Sequence, residues 1–182
     1  MSDPQTPPRA RVPWGRLLDI AAIALILFAL WKVFIAPRLL NAPGAFPAPH
    51  VAFARLNGGA AFTVTSARGK VLFLDFFATW CTPCRAELPL VQGWERSHPR
   101  ALVVPVDVGE SRIAVRRFAI AHGMHHVVLD PQQLSRGYFQ ILGFPTMVVI
   151  DPRGYIRATW TGFNPAIGPA MSNALQHLQK KR

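Results

Sequence analysis

Apolar runs alternate with segments of helical spacing from about residue 50 to the end of the chain. The runs Val71 to Phe77 and Leu102 to Val108 are rich in β-branched and aromatic side chains, which is typical of buried strands. In Ser111 to His122 the apolar positions recur every three or four residues, and Ser111 is a suitable helix N-cap. The full pattern predicts strands at 71–77, 102–108, 127–129, 146–150 and 155–161, and helices at 81–97, 111–122, 133–139 and 167–179.

The order of these elements predicts an α/β fold. Strands that alternate with helices imply crossover connections and a sheet with helices on both faces. The turn sequence Asp151-Pro152-Arg153-Gly154 separates the last two predicted strands, so these strands should form an antiparallel hairpin. The predicted sheet is therefore mixed.

A second apolar segment lies near the N-terminus. From Leu17 to Ile35 only Asp19 and Lys32 are charged, and both lie close to the ends of the segment. Nineteen helical residues span about 28 Å, close to the hydrocarbon thickness of a bilayer. The pattern predicts a disordered tail at 1–16, a transmembrane anchor at 17–35, a Pro-rich linker at 36–49 and a folded domain at 50–182.

Charges beside the apolar segment predict its orientation. Arg9, Arg11 and Arg16 precede it against Asp3, so the positive-inside rule places the N-terminus in the cytoplasm and the folded domain outside it. A cleaved signal peptide is the alternative, because small residues follow at Asn41 to Ala45. The length and hydrophobicity of the run favour an uncleaved single-pass anchor in a bacterial cytoplasmic membrane.

The chain is strongly basic, with a formal net charge of +11. Its basic residues are scattered, and the longest run is Lys180-Lys181-Arg182. An extracytoplasmic domain would also not meet nucleic acid, so we expect no nucleic-acid partner. A field of this sign can instead steer acidic partners toward the surface.

Both cysteines of the chain lie in one tetrapeptide, Cys81-Thr82-Pro83-Cys84. A thiolate in such a motif can attack a foreign disulfide and then be displaced by the neighbouring sulfur, so the motif indicates thiol-disulfide exchange. The alternatives are two buried structural cysteines or part of a zinc site. A zinc site needs about four ligands, and the sequence offers no second CxxC, so we predict no metal site.

The predicted elements place Cys81 at the start of a helix that follows a buried strand. Unpaired amides and the helix dipole favour a thiolate at that position. Cysteines in such motifs have pKa values lowered from about 8.5 to between about 3.5 and 7.5. Cys81 is therefore the predicted nucleophile, and Cys84, one turn later, is the predicted resolving thiol.

The segment Asp75 to Cys84 resembles the thioredoxin active site. Two further stretches are similar to the membrane-anchored TlpA/ResA branch of that family: Val106 to Ser111, and Gly143 to Thr146 ahead of a strand. The resemblance covers about residues 50 to 180. It implies a thioredoxin fold and thiol-disulfide exchange outside the cytoplasm, often in cytochrome c maturation.

The resemblance also implies roles for residues around the motif. Pro145 matches a cis-proline that faces the CxxC, and the backbone of Phe144 would pair with the substrate chain. Trp80 matches the aromatic residue beside the disulfide. Together with Thr82 and Pro83, these residues are the expected substrate-binding surface.

Two acids are candidates for tuning the cysteines. Asp75 interrupts an apolar strand, where burial should raise its pKa, and the matching thioredoxin residue is a proton acceptor for the resolving thiol. Glu110 lies in the segment that resembles the ResA branch and would tune the pair. Alternatively, Glu110 is only a favourable acid at the N-terminus of the next helix.

These inferences converge on an anchored reductase whose only redox group is the Cys81–Cys84 pair, without a separate cofactor. Its expected partners are protein disulfides, apocytochrome c among them, and a membrane-embedded thiol donor. Three alternatives remain: a disulfide-forming oxidase, a copper-binding assembly factor that uses Cys81, Cys84 and a histidine (His125 or His126), and, least favoured, a peroxidase. The redox potential, which the sequence does not reveal, decides the direction of electron flow.

Overall fold

The computed structural model describes residues 14–30 and 46–179. The chain divides into two compact units, residues 1–42 and 43–182.

In the first unit, one helix, α1, covers Trp14–Leu30. It begins three residues before the predicted anchor, inside the segment predicted as a disordered tail. Among the described residues, no helix combines the length and the apolar character needed to cross a membrane. Residues 31–35, the end of the predicted span, lie outside the described residues, as do residues 1–13.

The second unit contains eight strands and four α-helices in its described part. The strands are β1 (Phe46–Pro47), β2 (Ala52–Arg55), β3 (Phe62–Thr63), β4 (Leu72–Phe77), β5 (Leu102–Val108), β6 (Val128–Asp130), β7 (Thr146–Ile150) and β8 (Tyr155–Thr161). The helices are α2 (Thr82–Ser97), α3 (Arg112–Ala121), α4 (Leu134–Tyr138) and α5 (Ile167–Gln179), and a 3-10 helix covers Val64–Ala67. All nine predicted elements are present, with ends within one residue of the prediction.

The strands form one mixed sheet in the order β1-β8-β7-β4-β5-β6-β2-β3. Strand β4 is parallel to β5 and antiparallel to β7, and β7 and β8 form the predicted antiparallel hairpin. All six residues of β4 are buried, as expected for a central strand covered on both faces. The sheet therefore holds the end of β4, and the CxxC that follows it, in a rigid frame.

The two faces of the sheet are covered differently. Alternate residues of β4 point to opposite faces, so Phe73 packs with α2 and α5 while Leu74 and Phe76 belong to the core on the other side. On that other side the cover comes from Phe53, the 3-10 helix and the segment after α4. Helices are thus present on both faces, as predicted, but those of the second face are short. The three long helices share the first face, because right-handed crossovers from β4 to β5 to β6 run in one direction.

The folded unit begins before the predicted boundary at residue 50. Phe46 and Pro47 pair with the edge strand β8, and the amide of Ala48 donates to the carbonyl of Gly154 at 2.8 Å. The predicted linker at 36–49 therefore includes residues that belong to the sheet. Strands β2 and β3 were not predicted either, because they are short and their side chains are partly exposed, which weakens the apolar signal.

Candidate active site

The CxxC lies where β4 passes into α2. Cys81 is the N-cap of α2, and its Sγ accepts a hydrogen bond from the amide of Cys84 at 3.2 Å. Pro83 lies in the first turn of α2. A backbone N–H at this position has no acceptor within the helix, so the N–H that proline lacks costs no hydrogen bond. The predicted position of Cys81 at the helix N-terminus agrees with the structure. After reduction, the Cys84 amide and the helix dipole would both stabilise a thiolate on Cys81.

The two cysteines form a disulfide with a Cα–Cα distance of 5.3 Å. Both are buried, whereas the preceding Trp80 is 64% exposed, and Thr82 and Pro83 are also exposed. An incoming chain would therefore meet Trp80, Thr82 and Pro83 around a small sulfur surface.

The loop before β7 faces the disulfide. The Phe144–Pro145 peptide bond is cis, as the resemblance implied. The ring of Phe144 packs edge to face against Trp80, with the ring centroids 6.0 Å apart. Pro145 lines the same small cavity as Cys84. The structure thus brings Trp80, Phe144 and Pro145 together beside the cysteines.

Behind Cys84 lies a cavity that contains two carboxyl groups, those of Asp75 and Glu87. Both residues are buried, and Oδ1 of Asp75 has no hydrogen-bond partner among the described residues. Burial, and to a smaller extent the charge of Glu87, raise the pKa of Asp75 from 3.8 to about 7. A carboxyl group with this pKa can exist in either protonation state near neutral pH, which suits a proton acceptor for a thiol.

Glu87 was not among the residues selected from the sequence. Burial raises its pKa, and the amide of Asn164 partly offsets this by donating to Oε2 at 2.7 Å. The signal was present in the pattern, because Glu87 falls between Cys84 and Leu88 on the apolar face of α2. An acid at such a position is costly unless it is paired or functional.

Glu110 contacts the loop that leads into the CxxC. Its carboxylate accepts two hydrogen bonds from Thr79, from the amide at 2.5 Å and from the hydroxyl at 2.7 Å. Thr79 is two residues before Cys81, so this contact holds the entry to the motif. Ser111 is the N-cap of α3, which puts Glu110 one residue before the helix cap. The hydrogen bonds of Glu110 therefore fix the position of the loop that leads into the CxxC.

A third buried acid, Asp107, supports Glu110. Its Oδ1 accepts from the Glu110 amide at 3.2 Å, and its Oδ2 has no partner among the described residues. Burial and the neighbouring Glu110 raise the pKa of Asp107 to about 8. Like Asp75, it interrupts an apolar strand, which is the pattern that marks a costly buried charge.

Of the two histidines considered as copper ligands, His125 lines a cleft that Asp75 also lines. His125 and His126 are exposed in the turn before β6. Within residues 14–30 and 46–179, no group of three or more His, Cys, Asp or Glu side chains is arranged to hold a metal ion.

Comparisons with known proteins agree with this geometry. The AhpC/TSA family model matches residues 46–159. The thiol-disulfide oxidoreductase ResA of Bacillus subtilis (strain 168) is 33% identical over 110 residues, which are 58% of this chain and 61% of that protein. ResA of Geobacillus thermodenitrificans (strain NG80-2) is 30% identical over 155 residues, 84% of this chain and 88% of that protein.

A solved structure shows the same architecture. A thiol:disulfide interchange protein of the thioredoxin family from Chlorobium tepidum TLS superposes with a TM-score of 0.64 at 25% identity, covering 74% of this chain and 97% of that one. The resemblance inferred from the sequence is thereby confirmed. The chain belongs to the AhpC/TSA family, and it groups there with the ResA thiol-disulfide oxidoreductases.

Proposed function

We propose that this chain is a membrane-anchored reductase of protein disulfides on the outer side of a bacterial cytoplasmic membrane. The observation that carries the proposal is the position of Asp75, which is buried, has a pKa of about 7, and lines one cavity with the resolving Cys84. A resolving thiol that can pass its proton to such a base is equipped to complete the reduction of a substrate.

The reaction begins with the chain in its dithiol form. The Cys81 thiolate attacks one sulfur of a substrate disulfide, the substrate S–S bond breaks, and the other substrate sulfur leaves as a thiolate that takes up a proton. A mixed disulfide then joins Cys81 to the substrate. The cis Phe144–Pro145 segment and Trp80 would hold the substrate chain at this stage.

In the second step Cys84 transfers its thiol proton to the Asp75 carboxylate. The resulting thiolate attacks the sulfur of Cys81, the mixed disulfide breaks, and the second substrate sulfur leaves reduced. Two electrons pass to the substrate, and the Cys81–Cys84 disulfide forms. Asp75 also lines a cleft with Gln92 and His122 on its other side, which offers the proton a way to solvent.

The proposed location rests on the sequence. The apolar run Leu17 to Ile35, with arginines before it, favours a single-pass anchor with the N-terminus inside. A membrane-embedded thiol donor would then regenerate the dithiol. Apocytochrome c, with two cysteines that must be reduced before haem attachment, is the proposed substrate class.

The direction of electron flow is tested by the redox potential of the full chain in uncharged detergent. A value near that of thioredoxin, about −270 mV, supports a reductase, and a value near −120 mV would instead indicate an oxidase. The substrate is tested with Cys84→Ser, which should trap the mixed disulfide on Cys81, while Cys81→Ser should trap nothing. Recovery of apocytochrome c supports the proposed substrate class, and its absence among the trapped proteins argues against it.

The location is tested by membrane fractionation and by protease digestion. The protease is added to cells whose outer envelope is permeabilised while the cytoplasmic membrane stays intact. The proposal expects the intact chain in the membrane fraction after alkaline washing, with the domain open to protease from outside. A shorter, soluble chain would support the cleaved signal peptide. Tight Cu(I) binding that is lost in His125→Ala, without disulfide reduction, would favour the copper-binding alternative.

A further inference from the structure

The charges of the folded domain are divided between its interior and its surface. In the described residues 46–179, none of the seven carboxylate side chains is exposed. Five are buried and two, Glu95 and Glu110, are half-buried. The exposed cationic side chains, by contrast, number ten: Arg68, Lys70, Arg85, Arg96, Arg100, Arg112, Arg116, Arg117, Arg136 and Arg153. The surface of the domain is therefore cationic with little local neutralisation.

Two of these arginines contact residues that lie beside the disulfide. The guanidinium of Arg136, on α4, lies over the ring of Phe144 at 5.3 Å from its centroid. A terminal nitrogen of Arg85, on α2, lies 3.5 Å from the carbonyl oxygen of Trp80. Since Trp80 and Phe144 contact each other, both cations border one small surface beside Cys81.

Neither arginine is neutralised within the described residues, where Arg157–Asp151 is the single ion pair. Glu110, which contacts the loop before Cys81, accepts hydrogen bonds from Thr79 on both of its carboxylate oxygens. The guanidinium groups thus retain free donors for a ligand. Arginine presents its donors in a planar fork that matches a carboxylate, and an aromatic ring beneath it leaves that fork available at its edge.

The surface between the arginines is apolar. Trp80 is 64% exposed, and Leu142, in the loop that leads to Phe144, is 89% exposed. An exposed apolar surface rimmed by charged groups is typical of a protein docking site. Its position around a disulfide suits an extended peptide segment that carries a cysteine.

We propose that the substrate of this chain presents acidic side chains beside its reactive cysteine, and that Arg136 and Arg85 bind those carboxylates. Arg136 is the main determinant, because the ring of Phe144 holds it next to the cis-proline segment. This inference rests on the proposed reductase function and specifies its substrate as an acidic segment of a partner protein. Complementary charge raises association rates by about 10- to 1,000-fold at low salt.

The test uses the full chain, reduced and in uncharged detergent, with two peptides that differ only at the flanks of one internal disulfide. One peptide carries glutamates there and the other lysines. Single-turnover reduction is measured for each peptide, and each rate is divided by the rate with dithiothreitol, which is uncharged and corrects for the intrinsic reactivity of the peptide. We expect the parent chain to prefer the acidic peptide by tenfold or more in low salt, and to lose most of this preference in 1 M salt.

Charge-reversal variants show which arginine is responsible for the preference for the acidic peptide. Arg136→Glu should abolish or invert it, Arg85→Glu should reduce it, and Arg136→Lys should keep most of it. Arg100→Glu is the matched control, because it makes the same charge change beyond the far end of α2, about 24 Å along the helix axis from Cys81. Its preference should stay within twofold of that of the parent.

The outcomes separate the inference from the function on which it rests. Equal reduction of both peptides by the parent chain, or equal effects of Arg136→Glu and Arg100→Glu, would overturn the inference and leave the reductase intact. Failure of the parent chain to reduce either peptide, when dithiothreitol reduces both, would overturn the reductase and the inference with it.

Discussion

Asp75 and Glu87 are two buried carboxyl groups that line the same cavity as Cys84. The interaction between them is unfavourable when both are ionised, and burial disfavours the charge on each. At neutral pH Asp75, whose pKa is about 7, is therefore partly protonated next to the thiol that must release a proton. This arrangement leads to three measurable consequences.

Replacement of Asp75 by Asn should slow the second step of the reaction. The amide fills the same space but accepts no proton from Cys84, so the mixed disulfide should break down about tenfold or more slowly at pH 7. The first step, attack by Cys81, should change by less than twofold. Rapid-quench measurement of the mixed disulfide separates the two steps, and equal decay rates in the Asp75→Asn variant and the parent would rule out the role of Asp75 as the base.

The same substitution should stabilise the fold above pH 4. The pKa of Asp75 is raised in the folded state to about 7 from 3.8, so the folded chain loses stability relative to the unfolded chain as the pH rises through this interval. Asp75→Asn removes that loss, which is on the order of 4 kcal/mol at pH 7 and near zero below pH 4. Urea unfolding at pH 4, 6 and 8 measures the difference, and a gain that does not grow with pH would contradict this cause.

Glu87 should act through Asp75. Glu87→Gln keeps an oxygen that can accept from the Asn164 amide, but it removes the charge that raises the pKa of Asp75. The pH at which the second step reaches half its maximum rate should therefore move down. A merely structural role for Glu87 would lower the rate at every pH without moving this midpoint.

Glu110 should matter for the loop before the CxxC. Glu110→Ala leaves the amide and hydroxyl of Thr79 without their acceptor, which should destabilise the fold by about 1–3 kcal/mol. The reduced variant should also show an altered rate of alkylation at Cys81, because Thr79 precedes it by two residues. Glu110→Gln retains one acceptor and is the conservative control, expected to lie between the Glu110→Ala variant and the parent in denaturant titrations.

Gly109 permits the turn that delivers Glu110. Its φ is +91°, and a Cβ there would lie 2.9 Å from Nε2 of Gln133. The Gln133 side chain can move aside, so most of the cost of Gly109→Ala comes from the backbone, about 1–2 kcal/mol. Gly137→Ala is the control, since Gly137 is helical with nothing within 4 Å of the added Cβ. Thermal or urea unfolding should show a loss for the first variant and none for the second.

The sequence predicts the central elements well because they are long and uniformly apolar. Strands β5, β7 and β8 and helix α5 begin and end at the predicted residues. Strand β2 has one fully buried residue among four, and β1 and β3 have two residues each. Such short segments do not show a recognisable alternation of apolar and polar residues. Their pairing depends on neighbours that are distant in the chain.

The candidate site was predictable where the motif is local. The order of strand, CxxC and helix places Cys81 at a helix N-terminus, and an acid in an apolar strand marks Asp75. Glu87 and Asp107 carry the same kind of signal on α2 and β5 and were not selected. The hydrogen bonds between Glu110 and Thr79 join residues 31 positions apart in the chain. Only the parallel alignment of β4 with β5 brings these two residues together.

Because the carboxylates lie inside the domain and the guanidinium groups lie on its surface, pH and ionic strength should act on different steps of the reaction. Ionisation of Asp75 and Asp107 between about pH 7 and pH 8 adds charge to the interior, while the exposed guanidinium groups stay protonated throughout. Acidity would then govern proton transfer from Cys84, and ionic strength would govern the capture of an acidic partner. An experimenter could therefore adjust chemistry with buffer pH and recognition with salt, each with little effect on the other.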